Sequence, residues 1–369
     1  MTTTNFTRLT TEEKTVWSRD IWKQARNLTF LNKFLGEGPN AMIQHITELT
    51  KSEKGARAVM TLVPDLEGDG VAGDRTLKGN EEQIKAYDKV IRIDQLRNAN
   101  KSEGRIADQK SIVKFRETSR DVLAYWLSDR IDQLAFLTLS GVAYSNKNVG
   151  GSRTGSDLIN LEFAADVAAP TNGRVFRWNG TTQALVANGA TSDVTAADTP
   201  TYKMLVLAKA QAKMQYMRGI REGGQEKFHV FLSPLAMSKL KLDNDYILNV
   251  RHAQPRSDSN PLFTGSVVEV DGMYLHEFRH VYNTSGTSTK WGSGNTIDGC
   301  QILFCGAQAL GMADIGSPEW DEEQDDYGNQ QAIAVSKIFG FLKPKFYTQY
   351  GTYPQTTQDF GVMSIYVAQ

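Results

Sequence analysis

The longest regular pattern of apolar positions falls in residues 111–140, which read SIVKFRETSRDVLAYWLSDRIDQLAFLTLS. Apolar side chains recur there at steps of three and four residues, the spacing of one helix face. They are Ile112, Phe115, Leu123, Leu127, Ile131, Leu134 and Leu137. Gly141 is a suitable stop, because glycine readily adopts the left-handed conformation that ends many helices. At about 1.5 Å per residue the predicted helix is roughly 45 Å long, enough to span a domain.

A period of two predicts a two-stranded ribbon ahead of this helix. RAVMTLV indicates a strand over 57–63, and IKAYDKVIRIDQLRNANK indicates the strand that returns. On the returning strand, Ile91 and Ile93 share a face with Tyr87 and Lys89, and the other face carries Asp88, Arg92 and Asp94. Two strands bury little surface and leave both edges open, so the ribbon needs another surface to lie on.

The first 60 residues are predicted to form an N-terminal arm. Apolar residues at helical spacing predict a helix from Ser18 to about Phe34, which GEGPN ends. A second short helix is predicted in NAMIQHITELTK, residues 40–51. Because such amphipathic helices need a surface to cover, we expect deletion of the first 50 residues to leave folded, soluble subunits that have lost their partner contacts.

The second half of the chain mixes strands and helices without βαβ regularity, which predicts the α+β class. Residues 145–200 are rich in Gly, Ser, Thr, Asn and Asp, and predict a surface insertion of small hairpins. A helix follows Pro200, and a strand, a break at Pro234 and a further helix come next. Asp271-Gly272 predicts a two-residue hairpin turn. A buried strand followed by a turn or short helix is predicted around 298–315, and the tail is predicted to be β structure.

Composition argues against several classes of protein. The 369 residues are 40% hydrophobic and 22% charged, and 41 Lys and Arg against 42 Asp and Glu give a net charge of −1. So neutral a chain has no global attraction for nucleic acid or an anionic membrane. We expect neither a signal peptide nor a membrane span. The two cysteines, Cys300 and Cys305, have no histidine at ligand spacing and are predicted to be buried and apolar in role.

The loop sequence PDLEGDGVAGDRTLKGNEE, residues 64–82, resembles two ligand-binding motifs. Gly68, Gly70 and Gly73 fit the dinucleotide fingerprint, but that motif requires a helix at its third glycine and tolerates little negative charge. A calcium loop that starts at Asp65 should end in a glutamate, where this chain has Thr76. A partial cation site is the weaker alternative to an exposed, turn-rich ribbon tip.

The sequence HEFRH, His276 to His280, matches the zinc-peptidase signature H-E-x-x-H. That chemistry needs a helix, which places both histidines and the glutamate on one side. Here the five residues start four positions after Gly272, in a predicted strand, so Glu277 would point away from both histidines. A zinc metallohydrolase that uses His276, Glu277 and His280 therefore remains only the alternative function. The other histidines are isolated and support no catalytic triad.

Two segments of the ribbon resemble a known protein family. They are GDRTLKGNEE, with Gly73, Asp74, Leu77, Gly79, Asn80, Glu81 and Glu82, and IDQLR, with Ile93 to Arg97. These segments resemble the major capsid proteins of tailed bacteriophages, in the branch related to the coliphage N-four capsid protein. Weaker similarity follows in VFLSPLAMSKLK and NPLFTGSVVEVDGMYLHE. The resemblance covers about residues 15–145 and 200–369, and leaves out the predicted insertion.

The resemblance implies a Hong Kong 97-like capsid fold with five parts. The arm would be residues 1–60, the extended loop 61–110 and the insertion 145–200. The peripheral domain would comprise 111–144, with the long helix as its spine, and 330–369. The axial domain would be 201–329, packed around five- or six-fold axes.

The function implied is that of a structural protein with no catalytic step and no cofactor. Copies would form the pentamers and hexamers of an icosahedral head around double-stranded DNA, assembled in the host cytoplasm and located in the virion. Possible further partners are scaffolding, decoration and portal proteins. A non-viral compartment of the same fold remains a third possibility. The predicted contacts between subunits are Arg75, Lys78, Glu81, Glu82, Arg92, Arg97, Trp17 and Trp22.

Overall fold

The computed structural model describes residues 29–46, 57–62, 68–82, 87–111, 114–253, 268–316, 318–348 and 356–369. The helices in this part of the chain are α1 (Arg105–Lys110), α2 (Phe115–Ser140), α3 (Tyr202–Met214), α4 (Pro234–Lys241) and α5 (Asn244–Ala253). The first nine strands are β1 (Leu35–Gly36), β2 (Ile43–Ile46), β3 (Arg57–Leu62), β4 (Tyr87–Arg92), β5 (Asp94–Lys101), β6 (Val175–Asn179), β7 (Ala184–Ala187), β8 (Ile220–Glu222) and β9 (Gln225–Leu232). The others are β10 (Val268–Val270), β11 (Met273–Glu277), β12 (Gly299–Cys305), β13 (Leu310–Asp314), β14 (Glu319–Asp325), β15 (Gln330–Leu342), β16 (Lys345–Thr348), β17 (Thr356–Asp359) and β18 (Val362–Ala368).

The predicted long helix is present as α2, and it begins at Phe115. Its C-terminal half is the most deeply buried, since Leu134, Leu137 and Leu139 have no exposed surface. Gly141 ends the helix with φ 68°, and its N–H donates to the carbonyl of Thr138. A Cβ at this position would lie 2.3 Å from the carbonyl oxygen of Ala168. The stop therefore needs glycine both for its conformation and for the close approach of another segment.

An eight-stranded sheet holds much of the core, in the order β10-β11-β9-β12-β18-β6-β7, with β8 beside β9. Every residue of β12 is buried, and β18 pairs with it along its full length, from Gly299↔Ala368 to Cys305↔Val362. The C-terminal strand thus shares a sheet with β9 and β12, although the predicted domains separate them. The domain boundaries stay a prediction, and these pairings show that the segments share one core.

Residues 145–200 are joined to this sheet through β6, which pairs in parallel with β18. The β6–β7 hairpin fits the predicted small hairpins. Trp178 on β6 and Phe163 upstream of it are completely buried. The segment therefore contributes to the core, and the prediction of a surface insertion is wrong for this part of it. Three buried aromatic side chains, Phe163, Phe176 and Trp178, lie among its many polar residues, and composition alone does not reveal them.

A second sheet has six strands in the order β1-β2-β13-β15-β14, with β5 on β15. Helix α2 packs on the face of this sheet that carries the buried residues Ile333 and Val335. Two predictions are corrected here. Residues 43–46 form strand β2 instead of a helix, because they pair in parallel with β13. Residues 310–314 form β13 itself instead of a turn or helix.

The N-terminal segment from residue 29 packs on the chain's own body. Phe30–Phe34 form a 3₁₀ helix in which Leu31 and Phe34 are buried. The Phe30 ring stacks on Phe278 with centroids 4.0 Å apart. The expectation of an arm that runs free to residue 60 is therefore wrong for residues 29–46. The remaining part of the predicted helix, with Trp17 and Trp22, lies outside the described residues.

The predicted ribbon is present as the antiparallel pair β3–β4. Ala58 and Ile91 are partners on the face that packs on the body, where they join a cluster with Met60 and Phe346. Val59 and Val90 are partners on the opposite face, with 43% and 42% of their surfaces exposed. The base of the ribbon is thus anchored by one face, and the other face is open.

Candidate subunit interface

The loop between β3 and β4 stands out because residues 68–82 contain no helix or strand and are almost wholly exposed. Its shape comes from hydrogen bonds between its own residues. The Gly68 N–H donates to Oε2 of Glu82 at 2.7 Å, and the Gly79 N–H donates to Oε2 of Glu81 at 2.6 Å. The side-chain amide of Asn80 donates to the Thr76 carbonyl at 3.0 Å. Glu81 and Glu82, predicted as contacts between subunits, therefore also fix the local backbone.

The same loop presents cations and an apolar side chain to solvent. Arg75 and Lys78 are exposed and make no ion pair with another described residue. Leu77 lies between them with 60% of its surface exposed. An exposed leucine between two cations that pair with no described residue is typical of a surface that contacts another molecule.

The two remaining predicted arginines lie at the base of the ribbon and on the second sheet. Arg92 ends β4, and its Nε is 3.8 Å from a carboxylate oxygen of Asp166 in the same chain. Arg97 projects from β5, is exposed, and makes no ion pair with a described residue. The structure therefore does not gather the predicted residues into one patch. Arg75 and Lys78 lie on the loop, and Arg97 on the sheet.

Sequence reasoning missed a group of carboxylates on β14, which reads EWDEEQD and is exposed along its whole length. β14 pairs with β15 alone among the described strands, so its other edge pairs with none of them. Trp320 and Glu322 face helix α2, since Arg120 lies over the Trp320 ring and Arg116 forms a two-point ion pair with Glu322. The alternate residues Asp321 and Glu323 therefore point to the opposite face. The alternation of acidic residues in the sequence could have revealed this.

The residues of HEFRH do not converge on one point. Strand β11 ends at Glu277. Nε2 of His276 and Nδ1 of His229 are 2.8 Å apart and share a hydrogen bond. His280 lies beyond the strand and is 2.8 Å from Oδ1 of Asp129. Glu277 is exposed and pairs with Lys241 at 3.1 Å. No group of three or more possible metal ligands occurs among the described residues. The zinc hydrolase reading has no support here.

Zinc content checks this conclusion directly. We expect purified protein to contain far less than one zinc per chain by atomic emission. The reason is that a zinc site needs three or four ligands around one point, and His276 and His280 are bound to different partners. A His276→Gln/His280→Gln variant is the matched control and should have the same zinc content. One zinc per chain that this variant loses would contradict the expectation.

The two cysteines are buried, as predicted. Burial raises the pKa of the Cys300 thiol to about 11 and raises that of Cys305 as well. Both are therefore protonated thiols at neutral pH and poor nucleophiles. No helix in the described part of the chain is long and apolar enough to cross a membrane.

Two buried groups hold the N-terminal segment in place. The Asp132 carboxylate accepts hydrogen bonds from the N–H groups of Phe30 at 3.0 Å and Leu31 at 3.3 Å. Burial raises the pKa of Asp132 to about 6, and these two hydrogen bonds oppose the shift. The Phe34 ring meets His229 and His276 edge-on, with centroids 5.0 Å apart in both cases. Residues 30–34 are therefore held at one end by hydrogen bonds to Asp132 and at the other end by the contacts of Phe34 with the two histidine rings.

Comparison with known proteins agrees with this arrangement. A family model described as phage capsid protein matches residues 5–369. The major capsid protein of Pseudomonas phage KPP25 is 59% identical over 99% of this chain and 97% of its own length. The capsid of Ralstonia phage GP4 has a TM-score of 0.74 at 25% identity, covering 93% of this chain and 92% of that one. The Cyanophage Pam1 capsid, at 17% identity with the same coverage, has a TM-score of 0.70 and shows the shared fold.

The predicted resemblance and function are therefore confirmed. The mixture of helices and strands is that of Hong Kong 97-like phage capsid structures. The identity to a viral capsid protein favours the phage head over a non-viral compartment of the same fold. The chain belongs to the phage capsid protein family, and its function is that of a phage major capsid protein.

Proposed function

We propose that copies of this chain assemble into pentamers and hexamers of an icosahedral head that encloses double-stranded DNA, with no catalytic step. In this assignment α2 is the spine of the peripheral domain, and β3 and β4 with their loop are the extended loop. Residues 201–329 contribute the axial domain. Assembly takes place in the host cytoplasm, and scaffolding, decoration and portal proteins are the further partners that the family resemblance implies.

The loop of residues 68–82 is the observation that supports this proposal most directly. The two strands that carry the loop are anchored on the body by Ala58, Met60 and Ile91, and residues 68–82 are almost wholly exposed. The exposed Arg75, Leu77 and Lys78 of the loop are positioned to contact a neighbouring copy. Contacts between different surfaces of identical chains generate rings, which can close into a shell.

The energetics of such contacts fit an assembly of many copies. An exposed ion pair contributes only about 0–1 kcal/mol, so a single loop contact is weak. Repetition around each ring adds such contacts, and burial of Leu77 adds apolar area. The net charge of −1 suits a container, because a strongly basic inner wall would bind the packaged DNA tightly.

Reversal of the loop charges tests this role. We expect an Arg75→Glu/Lys78→Glu variant to fold normally and to yield at least tenfold fewer particles, because like charges would replace the attraction at each contact. Particle yield is measured by sedimentation and electron microscopy, and folding by circular dichroism of the unassembled subunit.

The matched control keeps both charges. An Arg75→Lys/Lys78→Arg variant should assemble at close to the normal yield, since exposed ion pairs tolerate this exchange better than a change of sign. Normal particles from the charge-reversed variant would show that the loop cations play no part in assembly.

A further inference from the structure

A cluster of arginine side chains lies where three segments of the chain meet. Arg130 lies on α2, Arg153 lies in the loop that follows α2, and Arg279 follows the end of β11. Between them, Asp129 and Gln133 of α2 accept hydrogen bonds from all three arginines. The whole chain has a net charge of −1, so this arginine cluster is a local concentration of positive charge.

Two of the guanidinium groups share one neutral acceptor. The side-chain oxygen Oε1 of Gln133 accepts hydrogen bonds from both Arg130 and Arg153, and the bond from Nη2 of Arg153 is 2.9 Å long. Neither arginine makes an ion pair with a described residue. Burial and the nearby charge of Arg130 lower the pKa of Arg153, although a guanidinium stays protonated in proteins. Two like charges are therefore held together by an amide that cannot neutralise them.

The carboxylate in the cluster does not offset three cations. Oδ1 of Asp129 accepts a 2.6 Å hydrogen bond from Nη2 of Arg279 and lies 2.8 Å from Nε2 of His280. Its Oδ2 accepts a 2.7 Å hydrogen bond from Nε2 of Gln133. The next carboxylate along α2, that of Asp132, accepts backbone N–H groups of the N-terminal segment. The cluster therefore keeps an excess of positive charge.

Unused donors remain on every guanidinium of the cluster. They are Nε and Nη2 of Arg130, Nη1 of Arg153 and Nη1 of Arg279, none of which bonds a described residue. The Arg279 side chain is 58% exposed, and the other two are partly exposed. Guanidinium groups bind oxyanions through paired N–H donors. Donors, charge and access from solvent thus coincide at one place.

The cluster is fixed in shape by its own hydrogen bonds. The side-chain amide of Asn148 donates to the carbonyls of Gln133 at 3.2 Å and His280 at 2.7 Å, which ties the loop to both other segments. Nε of Arg153 donates to the Asn146 carbonyl at 3.0 Å. Donors that are held in place before a ligand arrives lose little conformational freedom on binding.

We propose that the arginine cluster binds a phosphate group of a nucleic-acid backbone, an inference that rests on the proposed function of enclosing double-stranded DNA. Arg130 and Arg153 contact the phosphate, and Arg279 adds positive charge at the edge of the site. Double-stranded DNA carries about one negative charge per 1.7 Å of helix axis. Neighbouring phosphates therefore offset the excess of charge that a single carboxylate of a protein partner would leave.

One small site on each chain fits a nearly neutral container. A few phosphate contacts give weak binding that falls with salt and carries no information about base sequence. Such contacts hold packaged DNA near the wall without the tight attachment of a wall that is basic throughout.

A simpler explanation is that the arginines only fasten the loop after α2 to the helix. That role needs the hydrogen bonds to Gln133 and Asn146, which the chain already makes by itself. It predicts that replacement of the arginines changes stability and leaves DNA binding unaltered. A phosphate site predicts that affinity for DNA depends on the arginines in subunits that remain folded.

The experiment measures binding of a short, fluorescein-labelled DNA duplex to unassembled subunits by fluorescence anisotropy at low salt. We expect Arg130→Gln/Arg153→Gln to lower the affinity at least fivefold. Arg97→Gln/Arg221→Gln is the matched control, since it removes the same charge from two exposed arginines on β5 and β8, and should lower the affinity less than twofold. Circular dichroism reports folding. Equal losses in the two variants would overturn the proposal, because binding would then follow net charge alone.

The salt dependence gives a second readout that a structural role would not change. The slope of log affinity against log salt should fall by about one for each lost cation that contacts a phosphate. We therefore expect a fall of about two in Arg130→Gln/Arg153→Gln and none in the control. An unchanged slope in the first variant would contradict direct phosphate contacts.

Two competitors identify the source of the anion. An unlabelled duplex should displace the labelled one at a lower concentration of charge than inorganic phosphate or a hexaglutamate peptide. Hexaglutamate that binds more tightly than DNA, and loses this binding in Arg130→Gln/Arg153→Gln, would assign the cluster to a protein partner and overturn the proposal. Binding of inorganic phosphate without binding of DNA would overturn it as well.

A charge-conserving pair of variants decides the case if the glutamine variant misfolds. Lysine keeps the charge of arginine but lacks its paired donors. We expect Arg130→Lys/Arg153→Lys to lower the affinity about threefold, and Arg97→Lys/Arg221→Lys to leave it unchanged. Full affinity in the first would overturn the assignment of the two guanidinium groups. Since these measurements use unassembled subunits, their failure leaves the proposed assembly intact, and the loop variants test that assembly separately.

Discussion

A chain that begins at residue 29 is expected to fold, whereas a chain that begins at residue 47 is expected not to. Residues 29–46 supply strands β1 and β2 of the second sheet and the 3₁₀ helix that packs on the first. Leu31, Phe34, Met42, Ile43 and Ile46 are buried in the core. Burial of a large apolar side chain contributes about 1.5–3 kcal/mol. The five together contribute about as much as the whole stability of a typical domain, about 5–15 kcal/mol.

Two further losses follow the larger deletion. Asp132 would lose the two N–H groups that its buried carboxylate accepts. Strand β13, whose residues 310–313 are buried, would expose an unpaired edge. We therefore replace the sequence-based expectation that 50 residues can be removed without harm to the fold.

The two truncations are compared as purified subunits by circular dichroism, urea unfolding and sedimentation. The chain from residue 29 should unfold cooperatively, and the chain from residue 47 should be aggregated or lack a cooperative transition. A chain from residue 47 that unfolds cooperatively near the midpoint of the intact protein would contradict the placement of residues 29–46. Particle yield from the chain that begins at residue 29 then reports separately whether residues 1–28 act in assembly.

The elements that could be predicted from the sequence are those in which a regular spacing of apolar residues continues over many residues or a distinct turn or end signal is present. Helix α2 spans more than seven turns of regular spacing and ends at Gly141, so tertiary context had little to add. The β10–β11 hairpin followed from Asp271-Gly272, which have φ 50° and 70° and form its turn. In both cases the local conformational preference and the final environment agree.

Short apolar segments were predicted less well for a physical reason. Residues 43–46 read IQHI, and four residues fit a helical or an extended pattern equally. Pairing with β13 decides the conformation, and that partner lies more than 260 residues away in sequence. The carboxylates of β14 do alternate in the sequence, and that signal was overlooked. Their alignment with β15 and β5 has no counterpart in sequence spacing, because the three strands are distant from one another along the chain or pair only after folding.

The buried pair His229 and His276 is expected to make the subunit less stable in acid. Burial lowers the pKa of His229 to about 4, and burial together with the nearby His229 and Lys33 lowers that of His276 to about 3. Both values lie below the ordinary value of about 6.5. Below pH 6.5 the unfolded chain therefore binds protons that the folded chain does not. The free energy of unfolding falls as the pH falls through this range.

The groups around the pair set the size of the effect. Phe34, Phe231 and Tyr274 pack on the two rings and keep water away. Lys33 opposes protonation of His276, and Glu222 favours that of His229 only weakly against burial. At pH 5 each histidine costs about 2 kcal/mol relative to neutral pH. Asp132 acts in the opposite direction. Its pKa of about 6 in the folded state lies above the ordinary value, so the folded chain binds this proton before the unfolded chain does as the pH falls. This binding adds about 1 kcal/mol to the free energy of unfolding at pH 5.

We expect a net loss of about 3 kcal/mol in the free energy of unfolding of dissociated subunits between pH 7.5 and pH 5. Urea unfolding at a series of pH values measures it.

A His276→Gln variant should lose about half of the histidine contribution to the pH dependence, and His229→Gln/His276→Gln should lose nearly all of it. His45→Gln is the control for replacement of a histidine outside the pair, since His45 lies on β2 of the second sheet. Equal stability at pH 5 and pH 7.5 in the unaltered protein would contradict the assignment. Because Phe34 packs on both rings, the hydrogen-exchange protection of residues 30–34, relative to the intrinsic rate at each pH, should fall first as the pH falls.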